Sequence, residues 1–90
     1  MAKVLLKIHG IVQNVGFRYM VKQFVDKHGG TGYVRNLPDQ TVELVYQGEN
    51  HGLEELIIYL KTSPGHSKVS NIETKEYNSG RTFEQFEILV

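Results

Sequence analysis

The apolar residues of this chain change their spacing from two to between three and four and back again, twice over, and that order limits the fold more than any other feature. Val4, Leu6 and Ile8 alternate with Leu5, Lys7 and His9, the pattern of a strand. Gly10 to Gly16 holds two glycines and an asparagine and reads as a loop. Phe17, Met20, Val21, Phe24, Val25 and His28 then follow the spacing of a helix that buries one stripe, ended by Gly29 and Gly30. Thr31 to Arg35 is a second strand, and Asn36 to Gln40, with Pro38 and Asp39, a hairpin turn. Val42, Leu44 and Tyr46 alternate in a third strand. Asn50 is placed to cap a second helix, with Glu54 and Glu55 in its first turn and Leu53, Leu56, Ile57 and Leu60 as its apolar stripe. Ser63-Pro64-Gly65 stops that helix. Val69 to Tyr77 reads as a fourth strand, and Phe86, Ile88 and Val90 as a short last one.

The order is βαββαβ plus a terminal strand. It predicts an α+β, ferredoxin-like split βαβ sandwich: two helices on one face of an antiparallel sheet, with the first strand in its middle. Ninety residues make one domain, spanning 1–90. Hydrophobic residues at 40% and charged residues at 22% suit a folded soluble protein. With no cysteine in the chain, disulfides and thiolate chemistry are excluded, and the cytoplasm is the expected compartment. No apolar run is long enough to span a membrane or to act as a signal peptide.

Charge is uneven along the chain. Residues 1–38 hold six cations and one anion, Asp26, whereas residues 39–90 hold four cations and nine anions. The basic half either attracts an anion or is paired off by the acidic half on folding. The segment from Gly10 to Arg18 joins a strand to a helix and has no carboxylate to repel a phosphate. Unpaired N–H groups at a helix start, a permissive Gly16 and a forked Arg18 together suit an oxyanion. Taken singly, Arg18 is a solvated helix residue and Asn36 a turn former. His9, His28, His51 and His66 are scattered without metal-ligand spacing.

Gly10-x-Val12-Gln13-x-Val15-x-Phe17-Arg18 resembles the signature of the acylphosphatase family, and Gly32-Tyr33-Val34-Arg35-Asn36 resembles its second signature. The spacing between the two, the Ser-Pro-Gly stop and the Phe83-x-x-Phe86 ending extend the likeness along nearly the whole chain. The resemblance implies hydrolysis of an acyl phosphate to a carboxylate and inorganic phosphate. It implies that the backbone N–H groups of Gln13, Asn14, Val15, Gly16, Phe17 and Arg18 cradle the phosphate. It also implies that the Arg18 guanidinium grips the phosphoryl oxygens and that the Asn36 amide positions the attacking water. The resemblance thus implies Arg18 and Asn36 as the catalytic residues. The family carries glycine where this chain has Asn14.

A small-molecule substrate, inorganic phosphate as product and inhibitor, no metal or other cofactor, and a monomer follow from the same resemblance. Two alternatives stand beside it. One is an acylphosphatase-like binding module of weak or no activity. The other is an RNA-binding ferredoxin-like domain, which would need stacking aromatics on its central strands. The first strand has none and the third only Tyr46, so no nucleic-acid partner is expected.

Overall fold

The computed structural model describes residues 1–90. Its elements run β1 (Ala2–Ile11), α1 (Phe17–Lys27), β2 (Thr31–Asn36), β3 (Val42–Gly48), α2 (Asn50–Lys61), β4 (Lys68–Glu76) and β5 (Phe86–Ile88). The strands form one sheet in the order β4-β1-β3-β2-β5. β3 pairs antiparallel with both β1 and β2, so those two strands run parallel to each other with β3 between them. α1 makes the crossover from one to the other.

The two-residue alternation of β1 explains its two faces. Leu6 and Ile8 are wholly buried in one core with Val34, Val42, Leu44, Tyr46, Phe17, Val21, Val25, Leu56, Leu60 and Phe86. Burying each such side chain is worth about 1.5–3 kcal/mol. Leu5 turns the other way, onto a small cluster of Tyr33, Val45 and Phe83 on the face without helices. In α1 the stripe is narrower than its spacing suggested: Phe17, Val21 and Val25 are buried, and Met20 and Phe24 only half so. His28 lies past the helix as its C-cap, where its Nδ1 meets the Phe24 carbonyl oxygen at 2.9 Å and its ring stacks on Phe24.

Four expectations need correction. The sheet is mixed, because β5 pairs parallel with β2. A strand that follows β4 by a long connection is free to arrive from either end, and no periodicity in three residues encodes its direction. The last strand ends at Ile88, short of Val90. Gly10 and Ile11 continue β1 instead of opening the loop: the pairing with β4 shifts register between His9 and Gly10, and Gly10 takes φ 125 there. Finally, Asn50 is the first helical residue of α2 and Glu49 its N-cap, with no side-chain capping bond, so Glu54 and Glu55 lie beyond the first turn.

Candidate active site

Three parallel strands, β1, β2 and β5, deliver their C-terminal ends to the same end of the sheet. The loop after β1 leads into α1 there, β2 ends there on Asn36, and β5 ends there on Ile88. Parallel pairing thus gathers residues that lie far apart in sequence. Val12, Asn14, Gly16, Phe17, Arg18, Tyr19, Asn36 and Ile88 line one cavity of about 150 Å³ at that point.

The loop before α1 turns tightly and leaves its backbone donors free. Asn14 takes φ 62 and Gly16, the N-cap of α1, takes φ 74, so the backbone turns sharply twice before the helix. No side chain caps the helix and no acidic residue sits in its first turn. The backbone N–H groups of residues 13 to 19 donate no hydrogen bond within the protein. A run of unpaired donors at the positive end of a helix dipole is a ready phosphate site.

The side chains of residues 13 to 17 point different ways. Phe17 and Val15 point into or against the core, and Val15 does not line the cavity. The Asn14 carboxamide is exposed and forms no hydrogen bond. The Gln13 amide reaches away, donating to the Leu37 and Thr41 carbonyl oxygens, each at 2.8 Å. Gln13 does not line the cavity.

Arg18 donates through Nη1 to the Leu89 carbonyl oxygen at 3.0 Å and makes no ion pair with any carboxylate. One donor holds the guanidinium, and the other four of its five N–H groups remain for a ligand. The charge is permanent and, having no carboxylate partner, is not neutralised locally. Asn36, half-buried at the end of β2, has an Oδ1 shielded from solvent with no hydrogen-bond partner. Leaving an amide oxygen buried and unpartnered costs about 1–3 kcal/mol, so this side chain is not placed there by its own hydrogen bonding.

The other cations of the first half are mostly engaged. Lys7 pairs with Asp39 at 2.9 Å, Arg35 with Glu43 at 2.7 Å and Lys22 with Asp26 at 2.9 Å. Thr41 gives its hydroxyl to Asp39 and Lys7 its ammonium, and together they hold that carboxyl well below its ordinary range. Folding therefore pairs off much of the basic half and leaves Arg18 as the charge facing the cavity. A larger cavity of about 400 Å³ lies on the helix-free face, where Glu43 and Glu73 are balanced by Lys7 and Lys75 and no run of free backbone N–H groups opens. Tyr46, the one aromatic residue of β3, is buried on the helix side with its hydroxyl on the Glu49 carbonyl oxygen. It has no exposed ring on which a base could stack.

Three contributors were not legible in the sequence. Ile88 and Tyr19 line the cavity, and the Leu89 carbonyl orients Arg18 from 71 residues away. Tyr19 could have been suspected as the neighbour of Arg18. Nothing local marks Ile88 or Leu89, since a backbone carbonyl has no sequence signature.

The fold and much of the sequence are shared with known proteins. The family model for acylphosphatase matches residues 4–88. An acylphosphatase of Chlorobaculum tepidum is 37% identical over 87 residues, covering 97% of this chain and 95% of that one. The crystal structure of acylphosphatase from Bacillus subtilis superposes over 100% of both chains with a TM-score of 0.93 and 32% identity. The crystal structure of T. kodakarensis HypF also matches all of this chain, at 32% identity and a TM-score of 0.88, within 12% of its own length. With two signature segments folded around one cavity and a family match along nearly its whole length, this chain belongs to the acylphosphatase family of enzymes.

Proposed function

We propose that residues 1–90 act as one domain that hydrolyses the carboxyl–phosphate bond of small acyl phosphates, with Arg18 holding the phosphoryl group and Asn36 orienting the attacking water. The observation that carries this reading is that Arg18, with no carboxylate partner, Asn36, with no side-chain hydrogen bond, and residues of the loop whose backbone N–H groups are free all line one cavity.

The reaction asks for little beyond these groups. The carboxylate leaving group has the pKa of an ordinary side-chain acid, about 4, so it departs without a general acid. Phosphoryl transfer proceeds through a loose transition state in which charge gathers on the equatorial oxygens. The cradle N–H groups and the four free N–H donors of Arg18 sit where that charge develops. The Asn36 amide holds the attacking water and aims the water's lone pair at phosphorus, opposite the carboxylate. The water's proton passes to a phosphoryl oxygen, and the products are a carboxylate and inorganic phosphate. Phosphate then occupies the same cradle as an inhibitor. Alkyl phosphate monoesters, whose alkoxide must be protonated as it leaves, are poor substrates on this account.

The protein on this reading is a cytoplasmic monomer whose partners are its substrate and phosphate, with no metal, nucleic acid or membrane involved. No helix of the chain is long and apolar enough to cross a membrane. The test is hydrolysis of benzoyl phosphate with and without a chelator, alongside inhibition by inorganic phosphate. Turnover unaffected by the chelator and inhibited competitively by phosphate is expected. Phosphate binding without turnover would instead mark a binding module on the acylphosphatase fold.

A further inference from the structure

We infer that Gln13 is a positioning residue for the hydrolytic step, tying the phosphate loop to the turn that carries Asn36. This rests on the function proposed above and assigns to the Gln13 side chain a role separate from its backbone N–H.

The Asn36 carboxamide forms no hydrogen bond within the protein, so no side-chain partner fixes its direction. Its placement depends on the backbone at the end of β2. That backbone is held on one side by pairing of Asn36 with Val42. On the other side the chain turns from Leu37 to Thr41, closed by the Leu37 N–H donating to the Thr41 carbonyl oxygen at 2.9 Å. Gln13 Nε2 donates to the carbonyl oxygens of these same two residues, each at 2.8 Å. Leu37 follows Asn36 directly, and Thr41 precedes its pairing partner. The two N–H groups of one amide thus clasp both ends of the turn. With two carbonyl oxygens as partners, it must be the nitrogen of the amide that faces them.

This clasp is the only hydrogen-bonded tie from the side chains of residues 12 to 16 to the rest of the molecule. The loop holds the phosphate and the turn holds the water-orienting amide, so the clasp sets the distance between phosphate and water. A misplacement of about 1 Å at a reacting centre costs on the order of 10²-fold in rate.

The experiment is a double-mutant cycle with benzoyl phosphate as substrate and inorganic phosphate as inhibitor. Gln13→Met keeps the length and removes both donors. It is expected to lower kcat by about 10- to 100-fold while moving the inhibition constant for phosphate by no more than about three-fold, which is under 1 kcal/mol. In an Asn36→Ala background the same change is expected to lower kcat no further, because the residue it positions has gone. A role confined to stability would multiply the two losses, which would overturn the inference and leave the proposed function standing. Phosphate inhibition weakened in step with kcat would also overturn it, by showing that Gln13 organises the cradle. Full activity in Asn36→Ala alone would sink both readings. If Gln13→Met does not fold, Gln13→Asn, which keeps the donors but draws them back by one methylene, enters the same cycle with the same expectations.

Discussion

Asn14 stands at φ 62 in the turn before α1, a conformation in which glycine is unstrained and a side chain is tolerated at a cost. Its carboxamide makes no hydrogen bond that would hold the loop, so the side chain contributes crowding and no order. Asn14→Gly is expected to fold normally and to keep or raise benzoyl phosphate turnover. Relief of left-handed strain opposes an unfolded-state entropy of about 0.4–1 kcal/mol, so stability changes little. A glycine variant that folds but binds phosphate much more weakly would show that the asparagine organises the cradle. The roles proposed for Arg18 and Asn36 separate by their effects. Arg18→Lys keeps the charge and loses the fork, and should reduce kcat/KM by about 10³–10⁵ and phosphate inhibition with it. Asn36→Ala should reduce kcat by about 10²–10³ and leave phosphate inhibition nearly intact. Equal losses of phosphate affinity in the two variants would refute the division of labour.

At the scale of elements, β5 does more than its three residues suggest. Pairing parallel with β2, it runs toward the cavity, where Ile88 forms part of the wall and the Leu89 carbonyl oxygen accepts from Arg18. The Leu89 N–H in turn donates to the Val34 carbonyl oxygen at 2.9 Å, which fixes that carbonyl to the same strand that ends on Asn36. Deleting residues 89 and 90, with the new chain end at Ile88 amidated so that no carboxylate is added beside the cavity, removes the anchor of the guanidinium without touching the guanidinium. Turnover and phosphate inhibition should both weaken by about ten-fold, the worth of one charge-assisted hydrogen bond. The measurement is steady-state hydrolysis with phosphate inhibition, made well below the Tm of the shortened chain. A truncated protein with unchanged phosphate inhibition would mean that Arg18 holds its place through packing alone.

Across the whole molecule, folding pairs the basic first half with the acidic second. Lys7 with Asp39 and Arg35 with Glu43 each join the two halves, and a hydrogen bond between His9 and Glu73 also links them. The Asp39 carboxyl, hydrogen-bonded by Thr41 and Lys7, lies below its ordinary value of 3.8 when folded. A lowered folded pKa adds stability that is present above the unfolded value and is lost as pH falls through the folded one. Stability measured by urea unfolding should therefore fall below about pH 4. Asp39→Asn should flatten part of that fall. If the variant and the parent lose stability in parallel, Asp39 is not a source of the acid sensitivity.

The period of the apolar residues determined the elements and their order, because a strand and a helix each bury one face and only matching spacings place it. The two signature segments determined which side chains are the candidates for the chemistry, since Gly16, Arg18 and Asn36 suit the local requirements of a turn, a fork and an amide. The direction of β5, the anchoring of Arg18 by Leu89 and the grip of Gln13 on Leu37 and Thr41 were decided only by the tertiary structure. Each of these involves a backbone carbonyl or a strand direction. Every residue carries the same carbonyl, so which one meets a given donor depends on how the strands stack in space and on nothing written at that position.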